Sequence, residues 1–524
     1  MPLTGVDPND PTPLDRREFI LGAGPSSGTS PDMKFLIFGN KTSAGSETVD
    51  TLGTPIVDDA DCRARFGNRS EVYAMYRKAI AVDPTATYYA IAVTESAGNS
   101  ASADFTFATS ATANSSVEIE VHGEKFYSAI TSGDDVTTIA AAVVSAINAA
   151  DDGRLMVTAG NVAGVVTVTA SQKGPRFGTT IIGSGSTRGV RMRIVTSCGT
   201  TVSKGALSAG TVEDDGTAAF AAADAGEFHW IVPWYVAGAI TATDNQIGEA
   251  AVAVVASVAP TVGKFQTLHV GLVATQANAT TTATDAQANS TFVFFYHAEN
   301  NDWTPGMIAA HFAAICRRQY MRHPAASWLN YSNGVDPVLG STNVLLIPDP
   351  YVKTDRATAA EIRANLNNGV TPVAFRSNGT PYVPRHITSR SLNAAGNNDY
   401  RARSGHLPFV SDFIWKQVLD RYSGLPPFMD NDQVAGKQPV KGVTTPSLVK
   451  QVIFSVLDEA VKSRPSFGGT VYDGPILAPS LLASMKERVL VAKSAAGFTV
   501  TLELNAVEHR YKSETKVLET SAAY

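Results

Sequence analysis

Three short stretches hold residue types at spacings that chemistry uses. Phe38-Gly39-Asn40-Lys41-Thr42 follows an apolar run and ends in Gly-x-Lys-Thr. A phosphate-cradling loop needs a Gly-Lys pair with a second glycine five residues ahead of it; this stretch has neither, and it reads as a plain turn. Gly22-Ala23-Gly24 runs into Pro25 instead of opening a helix, which leaves a dinucleotide fingerprint poorly supported. Asp58-Asp59-Ala60-Asp61 lacks the glycine and distal glutamate of a calcium loop, and its carboxylates suit the positive end of a helix better. A Ser-His-Asp hydrolase would be at home in an α/β chain, but the strand-to-helix context of a nucleophile elbow is missing. Ser480, in Ala478-Pro479-Ser480-Leu481, has no flanking glycine pair, and the nine scattered histidines read as surface or core-edge residues. No His-Glu-x-x-His occurs, and Cys62, Cys198 and Cys316 show no Cys-x-x-Cys spacing. Neither a metal, a cofactor nor a disulfide framework is indicated, and the thiols point to a reducing compartment.

Composition narrows the function further. Of the 524 residues 44% are hydrophobic and only 17% charged, so the chain can bury large cores while its exterior stays unusually neutral, which favours assembly. The net charge of −6 supplies no global basic field, so non-specific nucleic-acid binding is not expected. Residues 372–524 nevertheless carry 18 basic against 13 acidic residues, a positive third behind an acidic body. No apolar run approaches the roughly 18 residues that span a bilayer, and membrane insertion is not expected.

The elements that would position these residues read as follows. Residues 1–16 are Pro- and Asp-rich without periodicity, an extended arm, with a short strand at Arg17 to Leu21. Lys34 to Phe38 is a buried strand, Asp58 to Phe66 a short helix, and Glu71 to Val82 a helix capped by Ser70 and ended by Asp83-Pro84. Tyr88 to Val93 is a strand. Ser/Thr/Ala/Gly-rich sequence then alternates through Asp104 to Ala108, Val117 to Val121, Lys125 to Ile130, Leu155 to Ala159 and Val165 to Thr169, interrupted by a helix at Thr137 to Ala150. Strand and helix then alternate: Phe228 to Val232, a helix from Asp244 to Ala259, Thr267 to Val273, a helix near Ala283 to Asn289, and Thr291 to Tyr296. A helix with Thr304 as N-cap and Pro305 at its first position follows, then a strand at Val344 to Ile347 and a helix at Thr358 to Asn368 stopped by Gly369. Val370 to Phe375 and Tyr382 to Thr388 read as a hairpin; helices follow at Val410 to Tyr422, Pro446 to Lys462 and Pro479 to Val491, and strands at Phe498 to Leu504 and Val507 to Tyr511. This order predicts a multidomain α/β chain: an N-terminal arm (1–20), the first part of an α/β body (21–95), an inserted β-rich outer domain (96–215), the main body (216–371), a C-terminal α+β inner domain (372–504) and a C-terminal arm (505–524).

The order and spacing of three stretches resemble a known family. Arg65-Phe66-Gly67-Asn68-Arg69-Ser70-Glu71-Val72 leads through a helix to Asp83-Pro84 and the Tyr88 to Val93 strand; Leu366-Asn367-Asn368-Gly369-Val370-Thr371-Pro372 runs on through Tyr382 to Arg385 and Ile387-Thr388-Ser389; and Asp399-Tyr400-Arg401 precedes a helix. Together they are similar to the tail sheath proteins of contractile phage tails and contractile injection systems, the Mu-like branch among them. The resemblance implies a central sheet domain of subtilisin-like fold without catalytic residues, and a subunit that stacks in six-membered rings around a tail tube and contracts. The implied partners are further copies of the chain, the tube protein, and the baseplate and tail terminator proteins. The implied place is a virion tail assembled in the bacterial cytoplasm. Its terminal arms would donate strands to neighbours, which makes Arg17, Glu18, Phe19, Ile20, Val507, His509 and Tyr511 candidate exchange residues. Lys450, Lys462, Lys486, Arg488 and Lys493 are candidates for tube or inner intersubunit contact, on the positive charge of their region. A subtilisin-like serine hydrolase and another self-assembling surface or virion protein are the competing readings.

Overall fold

The computed structural model describes residues 34–150, 155–178, 189–223, 228–233, 266–285, 293–322, 345–390, 446–461, 489–494, 497–506 and 514–523, with isolated positions between them. Strand β1 (Phe35–Asn40) is buried along its whole length, as a run without polar alternation must be. Helix α1 (Asp59–Phe66) is capped by Asp58, whose side chain accepts from the Asp61 N–H; Ser70 does the same for α2 (Glu71–Ile80), accepting from Tyr73 N–H. Strand β2 (Tyr88–Val93) pairs parallel with β1.

Between β2 and the next strand of that sheet lies a β-rich stretch. It comprises β3 (Ser100–Phe107), β4 (Ser115–Val121), β5 (Glu124–Ile130), helix α3 (Val136–Ala149), β6 (Val157–Val162), β7 (Val165–Lys173), β8 (Arg191–Ile194) and β9 (Val202–Ser208). These strands form two antiparallel sheets, β6-β7-β3-β9 and β5-β4-β8. Val166, Val168 and Ala170 of β7 alternate inward with Ala103 and Phe105 of β3, and Val117 and Ile119 of β4 do likewise, meeting Ile139, Val143 and Ile147 of α3 in a shared apolar core. Strands β8 and β9 are absent from the sequence pattern read above. Arg-Met-Arg-Ile in β8 does alternate, but both arginines serve ion pairs, so its polar positions look like loop.

The chain then returns through α4 (Thr217–Ala223), β10 (Trp230–Val232), β11 (Thr267–Leu272), α5 (Gln276–Asp285), β12 (Val293–His297), α6 (Pro305–Arg322), α7 (Ala359–Asn367) and β13 (Val370–Pro372). The main sheet has the order β13-β12-β11-β10-β1-β2, and all neighbours are parallel. Its two faces carry separate cores. Phe35, Ile37, Trp230 and Tyr296 pack toward α2 and α6, while Leu36, Phe38, Val270 and Phe295 pack toward Phe220 of α4 and Ala279 and Ala283 of α5. The mixed α/β class with several sheets follows directly from that arrangement.

Four expectations are corrected here. Residues 345–347 form no strand, because β13 already occupies the sheet position beside β12; Leu345 and Ile347 pack into the core as loop residues. Val370 to Phe375 is not one hairpin arm: Val370–Pro372 joins the parallel sheet, and only β14 (Ala374–Phe375) and β15 (Pro381–Tyr382) make the antiparallel pair. The α5 helix covers Gln276–Asp285, earlier than the Ala283 to Asn289 reading, whose last residues lie outside the described set. Leu490 and Val491 are not a helix end. They open β16 (Leu490–Ser494), which pairs with β17 (Gly497–Ala506), and a short apolar run is ambiguous between the two states.

Helix α8 (Pro446–Val461) matches its expected span closely, and the described positions between 408 and 421 are largely helical. Strand β18 (Glu514–Ala523) pairs antiparallel with β17 from Gly497↔Ala523 to Ala506↔Glu514, so residues assigned to the C-terminal arm have a partner inside the chain. The N-terminal arm, the Asp244 to Ala259 helix and the Val507 to Tyr511 strand lie outside the described residues.

Candidate functional site

In an open parallel sheet, ligands enter at the carboxyl end of the strands where the winding direction reverses. Here that point is the carboxyl end of β1, which has β2 on one side and β10 on the other. The loop after β1 is a turn. Lys41 directs its ammonium to the Gly45 carbonyl at 2.9 Å, and Thr42 N–H donates to Phe66 O at 2.9 Å. The crevice itself is filled by a side chain from the β-rich stretch. Arg176, in a single helical turn after β7, donates from Nη2 to Glu71 Oε2 at 3.1 Å and to Asn40 Oδ1, and its Nη1 meets Glu213 Oε1 and, at 3.0 Å, Asp214 Oδ2. Glu71 also accepts from Asn40 N–H at 3.2 Å, and Asp214 accepts from Ser96 N–H at 2.6 Å. All four ionic side chains are more than nine-tenths buried. Burial pushes the Glu71 carboxyl above its ordinary range, with Arg176 and the Asn40 N–H pulling the other way.

The turn between α1 and α2 grips the β-rich stretch through the Arg69 guanidinium and carbonyl. Gly67 ends α1 at φ +85°, and a β-carbon there would collide with Thr42 Oγ1. Two residues on, Arg69 (φ +66°) donates to Asn148 O at 2.8 Å and to Val157 O, while its carbonyl accepts from Gln172 Nε2 at 2.6 Å. Arg65 to Val72, the first stretch behind the family resemblance, therefore builds the junction between main sheet and β-rich unit.

A second guanidinium makes a parallel junction. Arg191 of β8 forms a bidentate pair with Asp302, just ahead of α6, at 2.8 and 2.7 Å, reaches Glu120 at 2.8 Å, and lies 4.3 Å from the centre of the Tyr351 ring. Burial disfavours its charge, yet the hydrogen bonds and charges of Asp302 and Glu120 outweigh that and hold it above the ordinary arginine range.

One cluster has the residue types of a catalytic site. On the α6 side of the sheet, Tyr296 Oη lies 2.9 Å from His269 Nδ1, 3.2 Å from His386 Nε2 and 3.4 Å from Cys316 Sγ. Tyr296 stacks on Phe312 with ring centres 4.2 Å apart, and His386 on Phe294 at 5.0 Å. Burial raises the Cys316 thiol far above its ordinary range and drives His269 well below its own, so the thiol stays protonated and the imidazole neutral. With Cys316 and His269 fully buried, the cluster is a hydrogen-bonded core. The histidines correct the sequence reading: His122, His229, His269, His297, His311 and His386, all those described, are buried. Ring nitrogens of several find partners inside, as where His297 reaches Ala274 O at 2.8 Å and Asn365 at 3.0 Å. Periodicity cannot register this, because a neutral imidazole packs like an aromatic.

Of the five basic candidates, the structure brings two together. Lys450 and Lys486 lie 5.5 and 5.4 Å from the Phe454 ring centre, and Lys486 pairs with Asp458 at 2.5 Å. Lys493 sits in β16 opposite Phe498 of β17. Lys462, Arg488, Arg17, Glu18, Phe19, Ile20, Val507, His509 and Tyr511 lie outside the described residues, as do Ser480 and Gly24-Pro25-Ser26-Ser27-Gly28, which spells Gly-x-Ser-x-Gly. The three cysteines are free and buried. Among the described residues no group of three or more His, Cys, Asp or Glu could hold a metal, and no helix is long and apolar enough to cross a membrane.

No protein-family model matches the chain, and no curated protein does. Solved structures do. One is the crystal structure of the sheath tail protein Lin1278 from Listeria innocua, 12% identical, with a TM-score of 0.45, over 97% of this chain and 98% of that one.

Proposed function

We propose that the chain is the structural subunit of a contractile tail sheath. Copies stack as six-membered rings on a tail tube and move into a contracted lattice that drives the tube through the target envelope. The support is the resemblance of the three ordered stretches, and one observation carries the reading further. The stretch Arg65 to Val72 is a mechanical joint, with Arg69 and Glu71 fastening a β-rich unit to the main sheet where an α/β enzyme would keep its ligand crevice. A subunit that transmits force needs such joints, because a load applied to one unit must move the other without local unfolding. In this reading the work comes from surface buried on contraction, at roughly 25 cal/mol per Å² of apolar area, and no nucleotide or metal takes part. The partners are further copies of the chain, the tube protein, and the baseplate and terminator proteins; the N-terminal arm donates a strand to a neighbour while residues 514–523 stay paired with β17, and the basic residues around α8 face the tube or the neighbouring subunit.

Electron microscopy of the purified chain over a concentration series tests this. Hollow cylinders or stacked six-fold rings are the expected result. Monomers at every concentration, together with a serine labelled by a fluorophosphonate, would replace the reading with a hydrolase.

A further inference from the structure

The Arg176 junction has an unbalanced charge. One guanidinium faces three carboxylates, Glu71, Glu213 and Asp214, all of them nearly sealed from water. Asp214 takes the Ser96 N–H on Oδ1 at 2.6 Å, while its Oδ2, 3.0 Å from Arg176 Nη1, has the ion pair without a hydrogen bond. Glu213 shares Arg176 Nη1 and takes the Asp214 N–H at 3.3 Å. Glu71 keeps Arg176 Nη2 at 3.1 Å and the Asn40 N–H at 3.2 Å, the longest set of contacts in the group, and Asp214 adds repulsion. Other charged groups on the surrounding elements are engaged elsewhere: Lys41 after β1 on Gly45 O, Arg69 before α2 on Asn148 O, Glu95 after β2 on Lys173 N–H, and Asp215 before α4 on Thr217. Two negative charges in excess, at low local dielectric, are relieved most directly by one proton.

We propose that this junction is a proton-linked clamp, in which uptake of a proton by Glu71 tightens the hold of the β-rich unit on the main sheet and its loss loosens that hold. A protonated Glu71 still accepts from Asn40 N–H and Arg176, and it leaves the guanidinium to Glu213 and Asp214. The sign follows from linkage. The folded chain binds the proton more tightly than the unfolded one, so the contribution is full below the ordinary carboxylate range and falls as pH rises through the folded value. The clamp concerns the joint within one chain and stands whether or not the chain forms a sheath.

The test compares the full wild-type chain with Glu71→Gln, which carries the protonated shape permanently, by thermal unfolding from pH 5 to pH 8. His269 and His297, held below their ordinary range by burial, lose stability toward acid in both proteins, so the difference between the two is read. The expected result is a variant advantage that is smallest at pH 5 and grows to on the order of 2 °C at pH 8, with amide exchange at Asn40 and Ser96 slowed in parallel. A difference that stays constant across the range overturns the proposal. If Glu71→Gln does not fold, infrared titration of the wild type decides: a protonated-carboxyl band that titrates together with protection of the Asn40 and Ser96 amides supports the clamp, and its absence overturns it.

Discussion

Arg191 shows what a single buried charge does in this chain. Its guanidinium sits between Asp302 and Glu120, whose carboxylates have few other donors; Lys125 lies 3.6 Å from Glu120. Replacing one member of such a group strands the others, and the cost comes from the charges left behind more than from the bond removed. Arg191→Met should therefore lower unfolding free energy by about 3–5 kcal/mol in chemical denaturation, while Arg191→Met combined with Asp302→Asn should recover part of that loss. Equal losses in the two variants would mean that packing against Tyr351, not charge, holds the junction. Such roles escape a reading by residue type, since Arg176 and Arg191 look like any other arginine in a polar stretch. Their partners lie more than 100 positions away in Glu71 and Asp302.

At the scale of elements, local rules hold where an end is built from neighbouring residues. Thr358 and Glu361 form a reciprocal capping box at the start of α7, with Thr358 N–H donating to Glu361 Oε2 at 2.7 Å and Glu361 N–H to Thr358 Oγ1 at 3.3 Å. That same pair holds the Glu361 carboxyl below the usual carboxylate range. Thr358→Ala should cost about 1 kcal/mol, read by denaturation, and the loss should shrink as pH falls through the carboxylate range because a protonated Glu361 no longer favours the helix start. Gly67 is the opposite kind of end. Its positive φ and the closeness of Thr42 mean that Gly67→Ala should destabilise by more than the roughly 1–3 kcal/mol of the backbone term alone, and Gly67→Ala with Thr42→Ala should recover much of the steric part.

For the whole molecule, the arms are what a sheath subunit would use outside its own fold. Deletion of residues 1–20 should leave the unfolding transition of the folded units in place and abolish pelleting of assembled material. Survival of assembly would remove the N-terminal arm from the mechanism. If the positive third of the chain meets an acidic surface, raising salt should also reduce pelleting, since exposed charge contacts are screened within about 10 Å at 0.1 M.

The sequence by itself determined the parts whose information is local: the apolar run of β1, the Asp58, Ser70 and Thr358 caps, Pro305 at the head of α6, and the alternation that predicts a parallel sheet with helices on both faces. The tertiary structure alone decided which polar residues matter. Strand β13 leaves the hairpin for the main sheet because β12 offers it an edge; His269 meets Tyr296 through the pairing of β11 with β12, and Cys316 joins them through the stacking of α6 on that sheet. Arg176 reaches the end of β1 because the β-rich unit folds back over the point where the winding reverses. Periodicity records which face of an element is apolar. It holds no information about which distant charge a buried side chain will meet, and that meeting makes the joint.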